Sequence, residues 1–194
     1  PNATDIMQQT GIQGFTLAFI LSSGGCEPAW DGQRPLTGGT DEQTIKEIQD
    51  AGGFVVPSIG GWSGNKLGPN CSSPEELAGA YQKVIDAHNL TAIDIDIENS
   101  DEFENETVQD RILGALKIVK ENNPGIQTIV TMPTTTTGPN YYGNRLIDRA
   151  AELQANIDVF TVMPFDFGSS DIYTDTVNAV TALKDKLKAT FGWS

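Results

Sequence analysis

Three carboxylic acids alternate with isoleucine in residues 91–98, which read Thr-Ala-Ile-Asp-Ile-Asp-Ile-Glu. Because successive side chains of a strand point to opposite faces, Asp94, Asp96 and Glu98 would share one face and the isoleucines the other. Burial and mutual repulsion both oppose ionisation of such a row, so at least one of these carboxyls is expected to have a raised pKa. A carboxyl that stays protonated near neutral pH can act as a general acid, and that is the chemistry the segment predicts.

Two other interpretations of this acid row stay open from the residues alone. On an edge strand the three carboxylates would face water, and a cluster of Asp and Glu would also suit magnesium or calcium. The flanking isoleucines favour a central strand, and no second acid or histidine motif is positioned to complete a metal site. The sole histidine, His88, lies at a predicted helix end. We therefore expect neither a metal nor another cofactor.

The elements that must position the acid row alternate along the chain. Short apolar runs bounded by Gly, Pro or Asn predict strands at residues 14–21, 53–59, 91–98, 127–134 and 157–163. Amphipathic segments predict helices at residues 41–51, 73–89, 104–123, 144–154 and 173–190. This order predicts one α/β domain over residues 1–194 with a parallel sheet and crossover helices. A doubly wound open sheet and a (β/α)8 barrel both fit, although a closed barrel needs eight units and the pattern supplies five.

The composition excludes two kinds of partner. The chain has 26 acidic and 12 basic residues, which gives a formal net charge of −14. Such a charge does not suit nucleic acid, whose phosphates need basic partners, and it is compatible with a neutral ligand. No apolar run reaches the length of about 18 residues that a membrane helix requires. We therefore expect neither nucleic acid nor a membrane as a partner.

Cys26 and Cys71 are the only cysteines, too few for a disulfide scaffold or a four-ligand zinc site. Both lie in polar loops that contain glycine and proline and follow predicted strands at the same end of the sheet. A single disulfide between them is expected, and two unrelated thiols are the alternative. A disulfide implies an oxidising compartment, so we expect a secreted protein.

Three motifs in the same order resemble those of glycoside hydrolase family 18, the chitinases and their relatives. The acid strand of that family reads Asp-x-x-Asp-x-Asp-x-Glu, and residues 91–98 match its last three acids. Residues 58–61, Ser-Ile-Gly-Gly, match Ser-x-Gly-Gly on the preceding strand, and residues 163–166, Met-Pro-Phe-Asp, correspond to Met-x-Tyr-Asp two strands later. The resemblance implies a (β/α)8 barrel of the TIM type, incomplete here, with five βα units that correspond to strands two to six.

By this resemblance the protein is a chitinase, a glycosidase that hydrolyses β-1,4-linked N-acetylglucosamine polymers in carbohydrate metabolism. Glu98 would protonate the glycosidic oxygen, and the acetamide of the substrate would attack the anomeric carbon, with retention of configuration. Asp96 would hydrogen-bond the acetamido N–H, and Asp94 would share a proton with Asp96. The partner would be chitin or its oligosaccharides.

The resemblance also implies residues that bind the sugar. They are Ser58, Gly60, Gly61, Trp62, Met163, Phe165 and Asp166. Trp62 would stack on the apolar face of a pyranose, and the glycine pair permits a tight backbone beside the acid row. Core packing is the alternative for Trp62 and Met163, and an ordinary turn is the alternative for the glycines. Tyr141 and Tyr142 are expected on a loop at the same end, where they would widen the cleft.

The chain departs from the family pattern at several positions. Thr91 replaces the first acid, and Phe165 replaces a tyrosine whose hydroxyl holds the acetamido oxygen. The first barrel strand and the last two have no counterpart, and Trp193 does not match the tryptophan of a late strand. A longer polypeptide, another chain that completes the barrel and a reduced open sheet are the three explanations. A catalytically silent glycan-binding relative and an endo-β-N-acetylglucosaminidase are the alternative functions.

Overall fold

The computed structural model describes residues 2–194. Its strands are β1 (Gly14–Ser22), β2 (Pro28–Trp30), β3 (Phe54–Gly60), β4 (Ala92–Asp96), β5 (Gln127–Pro133) and β6 (Val159–Met163). Its α-helices are α1 (Ala3–Thr10), α2 (Thr40–Asp50), α3 (Leu67–Asn70), α4 (Pro74–His88), α5 (Glu106–Asn122), α6 (Tyr141–Glu152) and α7 (Ile172–Phe191). A π-helical turn, Asn99–Phe103, lies between β4 and α5 and is called the π-turn below.

All six strands form one sheet in the order β2-β1-β3-β4-β5-β6. The five parallel strands β1, β3, β4, β5 and β6 therefore add in chain order, without the reversal that defines a doubly wound sheet. Right-handed crossovers then place the connecting helices on the same face. The sheet curls into part of a barrel, which confirms the predicted incomplete (β/α)8 fold with five βα units and excludes the doubly wound alternative.

The two faces of β4 follow the alternation of its sequence. Ile93, Ile95 and Ile97 are at most 1% exposed and belong to the core between the sheet and its helices. Asp94 and Asp96 point to the concave face, which in a complete barrel would be the lumen. Because β4 is hydrogen-bonded to β3 on one side and to β5 on the other, it is a central strand, and the edge-strand interpretation is wrong.

The helices that pack behind the acid strand, α4 and α5, both begin at N-cap residues. Ser73 accepts the Glu76 N–H at the start of α4, and Pro74 occupies the first helical position. Asn105 caps α5 in the same way, by accepting the Val108 N–H. The apolar row of α5 is buried, as its spacing predicts, at Val108, Ile112, Leu116 and Val119. These two helices form the layer that the isoleucines of β4 pack against.

Four short elements lie where the sequence pattern predicts only connections: α1, β2, α3 and the π-turn, of 8, 3, 4 and 5 residues. They are too short to show a hydrophobic period. The antiparallel strand β2 covers the edge of β1 and buries Trp30, whose indole N–H donates to His88 Nε2 at 3.3 Å. That contact gives His88 a structural role.

The loops at the carboxyl edge of the sheet are joined covalently. Cys26, between β1 and β2, forms a disulfide with Cys71, which follows α3. The bond is the pairing expected from the sequence, and it ties the loop after β1 to the loop after β3. In the chain from residue 2 onward, no helix has the length and apolar character that a membrane crossing requires.

Candidate active site

A cleft of about 710 Å³ opens at the carboxyl edge of the sheet. Its lining residues are Phe19, Trp62, Asp96, Glu98, Pro133, Thr134, Met163, Phe165 and Asp166. They come from the ends of all five parallel strands or from the residues that follow them. In barrels built from such strands, this edge is where catalytic residues lie. The structure therefore brings the end of the acid row and residues 163–166, distant in sequence, into one cavity.

Asp94 is the acid row's most firmly held member. One of its carboxyl oxygens accepts the Ser58 hydroxyl at 2.6 Å, and the other accepts the Thr131 hydroxyl at 2.7 Å. The Thr131 oxygen lies 2.6 Å from the hydroxyl oxygen of Thr161 on the next strand. Burial raises the pKa of Asp94, and the hydrogen bonds from Ser58 and Thr131 oppose that rise. Both oxygens of Asp94 thus have hydroxyl donors.

Asp96 has a different environment although it lies two residues further along the same strand. It is buried, its Oδ1 has no hydrogen-bond partner among residues 2–194, and Glu98 is the acidic group that acts most strongly on it. Burial and the adjacent Glu98 raise the pKa of Asp96 to about 8, with Asp94 adding to the rise and Lys66 opposing it. The raised pKa of Asp96 therefore favours a protonated carboxyl beside Glu98 at neutral pH.

Glu98 reaches the cleft because the chain changes course beyond the strand. Glu98 is half-buried, and its backbone is extended just before the π-turn. The next residue, Asn99, adopts a φ of 67°. The Asn99 amide donates to the main-chain oxygen of Trp62 at 3.2 Å, and Lys66 Nζ donates to that of Glu98 at 3.1 Å. The loop after β3 therefore sets the direction in which Glu98 leaves the sheet.

Gly60 and Gly61 act through the backbone, away from the cleft surface. Gly60 has a φ of 112°, and a Cβ there would collide with the main-chain oxygen of Asp96. The Gly61 N–H donates to that same oxygen at 3.0 Å, and a Cβ on Gly61 would press on the ring of Phe19. The glycine pair lets the end of β3 lie against the end of the acid strand. Both residues therefore help to hold the backbone of Asp96 in position.

The remaining predicted residues lie on the cleft wall, and their exposure decides between the alternatives. Trp62 is 63% exposed and Phe165 is 56% exposed, so neither packs in the core. Met163 ends β6 half-buried, with its side chain on the cleft, and Asp166 follows it with a φ of 57°. The cleft therefore has exposed aromatic rings on the rim around the carboxyls.

The expectation that Tyr141 and Tyr142 widen the cleft is wrong. They are the first residues of α6, which Asn140 caps three residues earlier than the sequence pattern predicts. The Tyr141 hydroxyl donates to Glu106 at 2.7 Å, and the Tyr142 ring packs on Phe103. Both tyrosines join α6 to α5 and the π-turn, and neither lines the cavity.

Several site residues were not predicted from the sequence: Phe19, Lys66, Glu102, Thr131, Pro133 and Thr134. Thr131 is paired with Asp96 in the parallel register, so aligning the strands would have found it. Lys66 and Glu102 lie in irregular segments whose course no periodicity predicts. In the described chain, no group of three or more His, Cys, Asp or Glu side chains is placed to hold a metal.

Comparisons with known proteins find chitinases. The chain is 26% identical over 175 residues to the probable bifunctional chitinase/lysozyme of Escherichia coli (strain K12), covering 88% of this chain and 20% of that protein. It is also 26% identical over 176 residues to endochitinase 11 of Metarhizium anisopliae, covering 88% and 33%. Active domain 2 of the thermostable Pyrococcus furiosus chitinase, solved as catalytic-site mutants complexed with chito-oligosaccharides, has a TM-score of 0.85 and 28% identity.

That last alignment covers 97% of this chain and 60% of the solved chain, so this chain is shorter than each of these relatives. No protein-family model matches it. The relatives are glycoside hydrolases, and their likeness extends over nearly the whole chain. The likeness to these chitinases in sequence and fold supports the resemblance to glycoside hydrolase family 18 that the three motifs indicate.

Proposed function

We propose that this chain hydrolyses β-1,4-linked N-acetylglucosamine polymers as a chitinase, by a substrate-assisted mechanism that retains the anomeric configuration. The observation that carries the proposal is that Asp96 and Glu98 line one open cleft together with exposed aromatic rings. A protonated carboxyl in that position could donate to a glycosidic oxygen bound in the cleft. The likeness of the chain to known chitinases supports the same reaction.

In the proposed reaction Glu98 protonates the leaving glycosidic oxygen. The carbonyl oxygen of the substrate's own acetamide then bonds to the anomeric carbon and forms a cyclic oxazolinium ion. Asp96, having lost its share of the proton, accepts the acetamido N–H and stabilises the positive charge. Water then gives its proton to Glu98 and opens the ring from the face that the leaving group vacated. Two inversions at one carbon give net retention.

The cleft wall supports a neutral sugar as the substrate. Trp62 and Phe165 offer exposed aromatic faces, which suit the apolar faces of pyranose rings. Phe165 has no hydroxyl for the acetamido oxygen, so we assign that hydrogen bond to another donor. Thr134 is a lining residue whose hydroxyl can donate, whereas Asp166 could donate only in its protonated form.

The test is the hydrolysis of a fluorogenic chitobioside by the wild-type chain, by Glu98→Gln and by Glu104→Gln. Glu104 is an exposed acid at the end of the π-turn, so its variant controls for the loss of one charge nearby. We expect Glu98→Gln to lower kcat by about 10²- to 10⁴-fold, the usual contribution of a general acid, and Glu104→Gln to have little effect. Equal activity of wild type and Glu98→Gln would rule out Glu98 as the donor.

Product analysis by NMR separates the mechanism from the activity. Initial release of the β-anomer from a β-linked chito-oligosaccharide supports the substrate-assisted route, and release of the α-anomer contradicts it. Binding of the oligosaccharide without turnover by wild type would favour the silent glycan-binding alternative. Cleavage within the core of N-linked glycans but not of chitin would favour the endo-β-N-acetylglucosaminidase.

The proposal also covers what closes the open side of the cleft and where the protein acts. The concave face of the sheet is open between its edge strands β2 and β6, so we propose that a further segment or another chain covers the sugar on that side. Sedimentation of the chain with and without chito-oligosaccharide tests for a second copy. We also propose secretion, because the Cys26–Cys71 disulfide persists in an oxidising compartment.

A further inference from the structure

Lys66 is a buried cation in the loop that follows β3. Its side chain has no exposed surface, although lysine is among the residues that proteins bury least often. Burial of an ammonium group is strongly unfavourable unless the charge is paired and its protons are hydrogen-bonded. The partners of Lys66 therefore explain why it is tolerated, and they point to what it does.

Both hydrogen-bond partners of Lys66 belong to the segment that carries Glu98. Its Nζ donates to the main-chain oxygen of Glu98 at 3.1 Å and to Asp101 Oδ1 in the π-turn at 2.9 Å. The two bonds hold the chain at Glu98 and again three residues later. Asp101 is 42% exposed, so solvent weakens this ion pair, and the bond to the main-chain oxygen of Glu98 is itself part-buried.

A second buried acid shares the site with Lys66. Glu102 is 2% exposed, and its Oε1 has no hydrogen-bond partner among residues 2–194. A Cβ on Gly68 would collide with its other oxygen, so glycine leaves the space that this carboxyl fills. Burial raises the pKa of Glu102 to about 8, and the charge of Lys66 opposes the rise, as it does for Asp96.

The charge of Lys66 is therefore surrounded by acids from several elements. The titratable and charged groups around it and the acid row are Asp94 and Asp96 on β4, Glu98, Asp101 and Glu102 after it, Tyr81 on α4, Arg111 on α5 and Asp166 after β6. The guanidinium of Arg111 donates to the main-chain oxygen of Gly68, so it contributes a second cation nearby. Lys66 is the cation that bonds directly to the segment of Glu98.

We propose that Lys66 is a positioning residue for the acid row: its Nζ holds the main chain of Glu98, and its charge favours the ionised form of Asp96. The inference rests on the proposed function, in which Glu98 delivers the proton and Asp96 is the carboxylate that accepts the acetamido N–H. Removing the charge stabilises the protonated form of Asp96, so Asp96 should release its proton at a higher pH. Removing the N–H donor as well should loosen Glu98.

The test compares Lys66→Met, which removes charge and donor, with Lys66→Gln, which removes the charge and retains an N–H donor. Lys83→Met is the matched control, because Lys83 is an exposed lysine on α4 paired with Glu27 at 2.7 Å. In both Lys66 variants we expect the pH profile of kcat/KM to move upward by roughly one unit. In Lys66→Met we also expect kcat to fall about tenfold at an unchanged KM. Lys83→Met should match wild type.

Carboxyl carbon-13 NMR titration of Asp96 gives a readout that needs no substrate. Its titration should move to higher pH in both Lys66 variants. An unchanged titration and pH profile in folded variants would overturn the inference, whatever the activity. If neither variant folds, Lys66 serves the fold alone and the inference is likewise overturned. A shifted NMR titration in a wild-type background that hydrolyses no chito-oligosaccharide supports the role of Lys66 and counts against the proposed function only.

Discussion

Asp96 and Asp110 are both partly or fully withdrawn from solvent, yet the protein treats their charges in opposite ways. Asp110, on α5, is flanked by Arg149 and Arg145 of α6 at distances of 3.1 to 3.2 Å. Partial burial opposes its ionisation, but hydrogen bonds from Arg149 and Arg145 outweigh burial and lower its pKa. Asp96 has an acidic neighbour and an oxygen without a partner, and its pKa rises to about 8.

Asp110 stabilises the fold through its ion pairs, whereas burial of Asp96 lowers the free energy of unfolding when its carboxyl would otherwise ionise. Asp110 joins two helices on the outer layer, where solvent and arginine both stabilise the carboxylate. Asp96 lies where neither is available, and its burial is unfavourable for the folded state above the ordinary pKa of aspartate. Such a concentration of unfavourable charge in a cleft is typical of a functional site.

The largest expected effect of breaking this comparison is on activity. Asp96→Asn removes the carboxylate beside Glu98 that would stabilise the positive charge of the intermediate, so we expect kcat on a chitobioside to fall by about 10²-fold or more. Asp110→Asn removes the same charge from the outer layer and should leave kcat within about twofold of wild type. Equal losses in the two variants would show that Asp96 has no special part in the reaction.

The next effect is on stability, and its sign is opposite to that of an ordinary salt-bridged acid. Between the ordinary aspartate pKa of 3.8 and the raised value of about 8, the folded state binds more protons at Asp96 than the unfolded state does. The free energy of unfolding therefore falls as pH rises through this window. We expect Asp96→Asn to be more stable than wild type by about 1 to 3 kcal/mol at pH 8, and by little at pH 4.

Urea denaturation at several pH values measures this difference. Asp94 and Glu102 also have raised pKa values, so the stability of the Asp96→Asn variant should still depend on pH, but less than that of the wild type. A stability gain that does not grow between pH 4 and pH 8 would mean that Asp96 ionises in the folded protein as readily as in water.

The third effect is a loss of stability when Asp94, like Asp96, has a carboxyl oxygen without a hydrogen-bond donor. Ser58→Ala and Thr131→Val each remove one of its two hydroxyl donors, which should lower the free energy of unfolding by about 1 to 2 kcal/mol at neutral pH. Ser100→Ala, at an exposed position of the π-turn, is the matched control. If the control loses as much stability as either variant, the hydroxyls do not hold Asp94.

The smallest effect is expected at Asp110. Its folded pKa is lowered, so its contribution is present above the unfolded value and is lost as pH falls through the folded one. After screening by solvent, Asp110→Asn should cost about 1 kcal/mol at pH 7 and less at pH 3. A thermal or urea series at the two pH values measures it, and a loss that is greater at pH 3 would contradict the ion-pair assignment.

Periodicity was enough to predict the sheet and its central acid strand. The alternation of Ile93, Asp94, Ile95 and Asp96 fixed which side chains face the helices, and the five strand–helix units appear where the apolar runs predicted them. The choice between a barrel and a doubly wound sheet could not be made this way, because it depends on the order of strands in space. That order is a long-range property, and the resemblance to a known family was the main ground for expecting the barrel.

The site was predictable where it consists of strand ends and unpredictable where it consists of irregular chain. Trp62 and Phe165 follow predicted strands, and both lie on the cleft. Lys66 and Glu102 depend on the course of a loop and of the π-turn, which no hydrophobic period encodes. Tyr141 was misplaced because the cap at Asn140 starts α6 earlier than its apolar spacing indicates.

The hydrogen bonds between the Asp94 carboxyl and its neighbouring hydroxyl groups help to set the register of the strands. Ser58, Asp94, Thr131 and Thr161 form a continuous chain of hydrogen bonds across β3, β4, β5 and β6. A slip of any one strand by one residue would turn its member of this chain to the opposite face. Hydrogen bonding around Asp94 therefore penalises misaligned pairings of four strands. Recovery of the Asp94 contacts after refolding would then report that all four have found their native register.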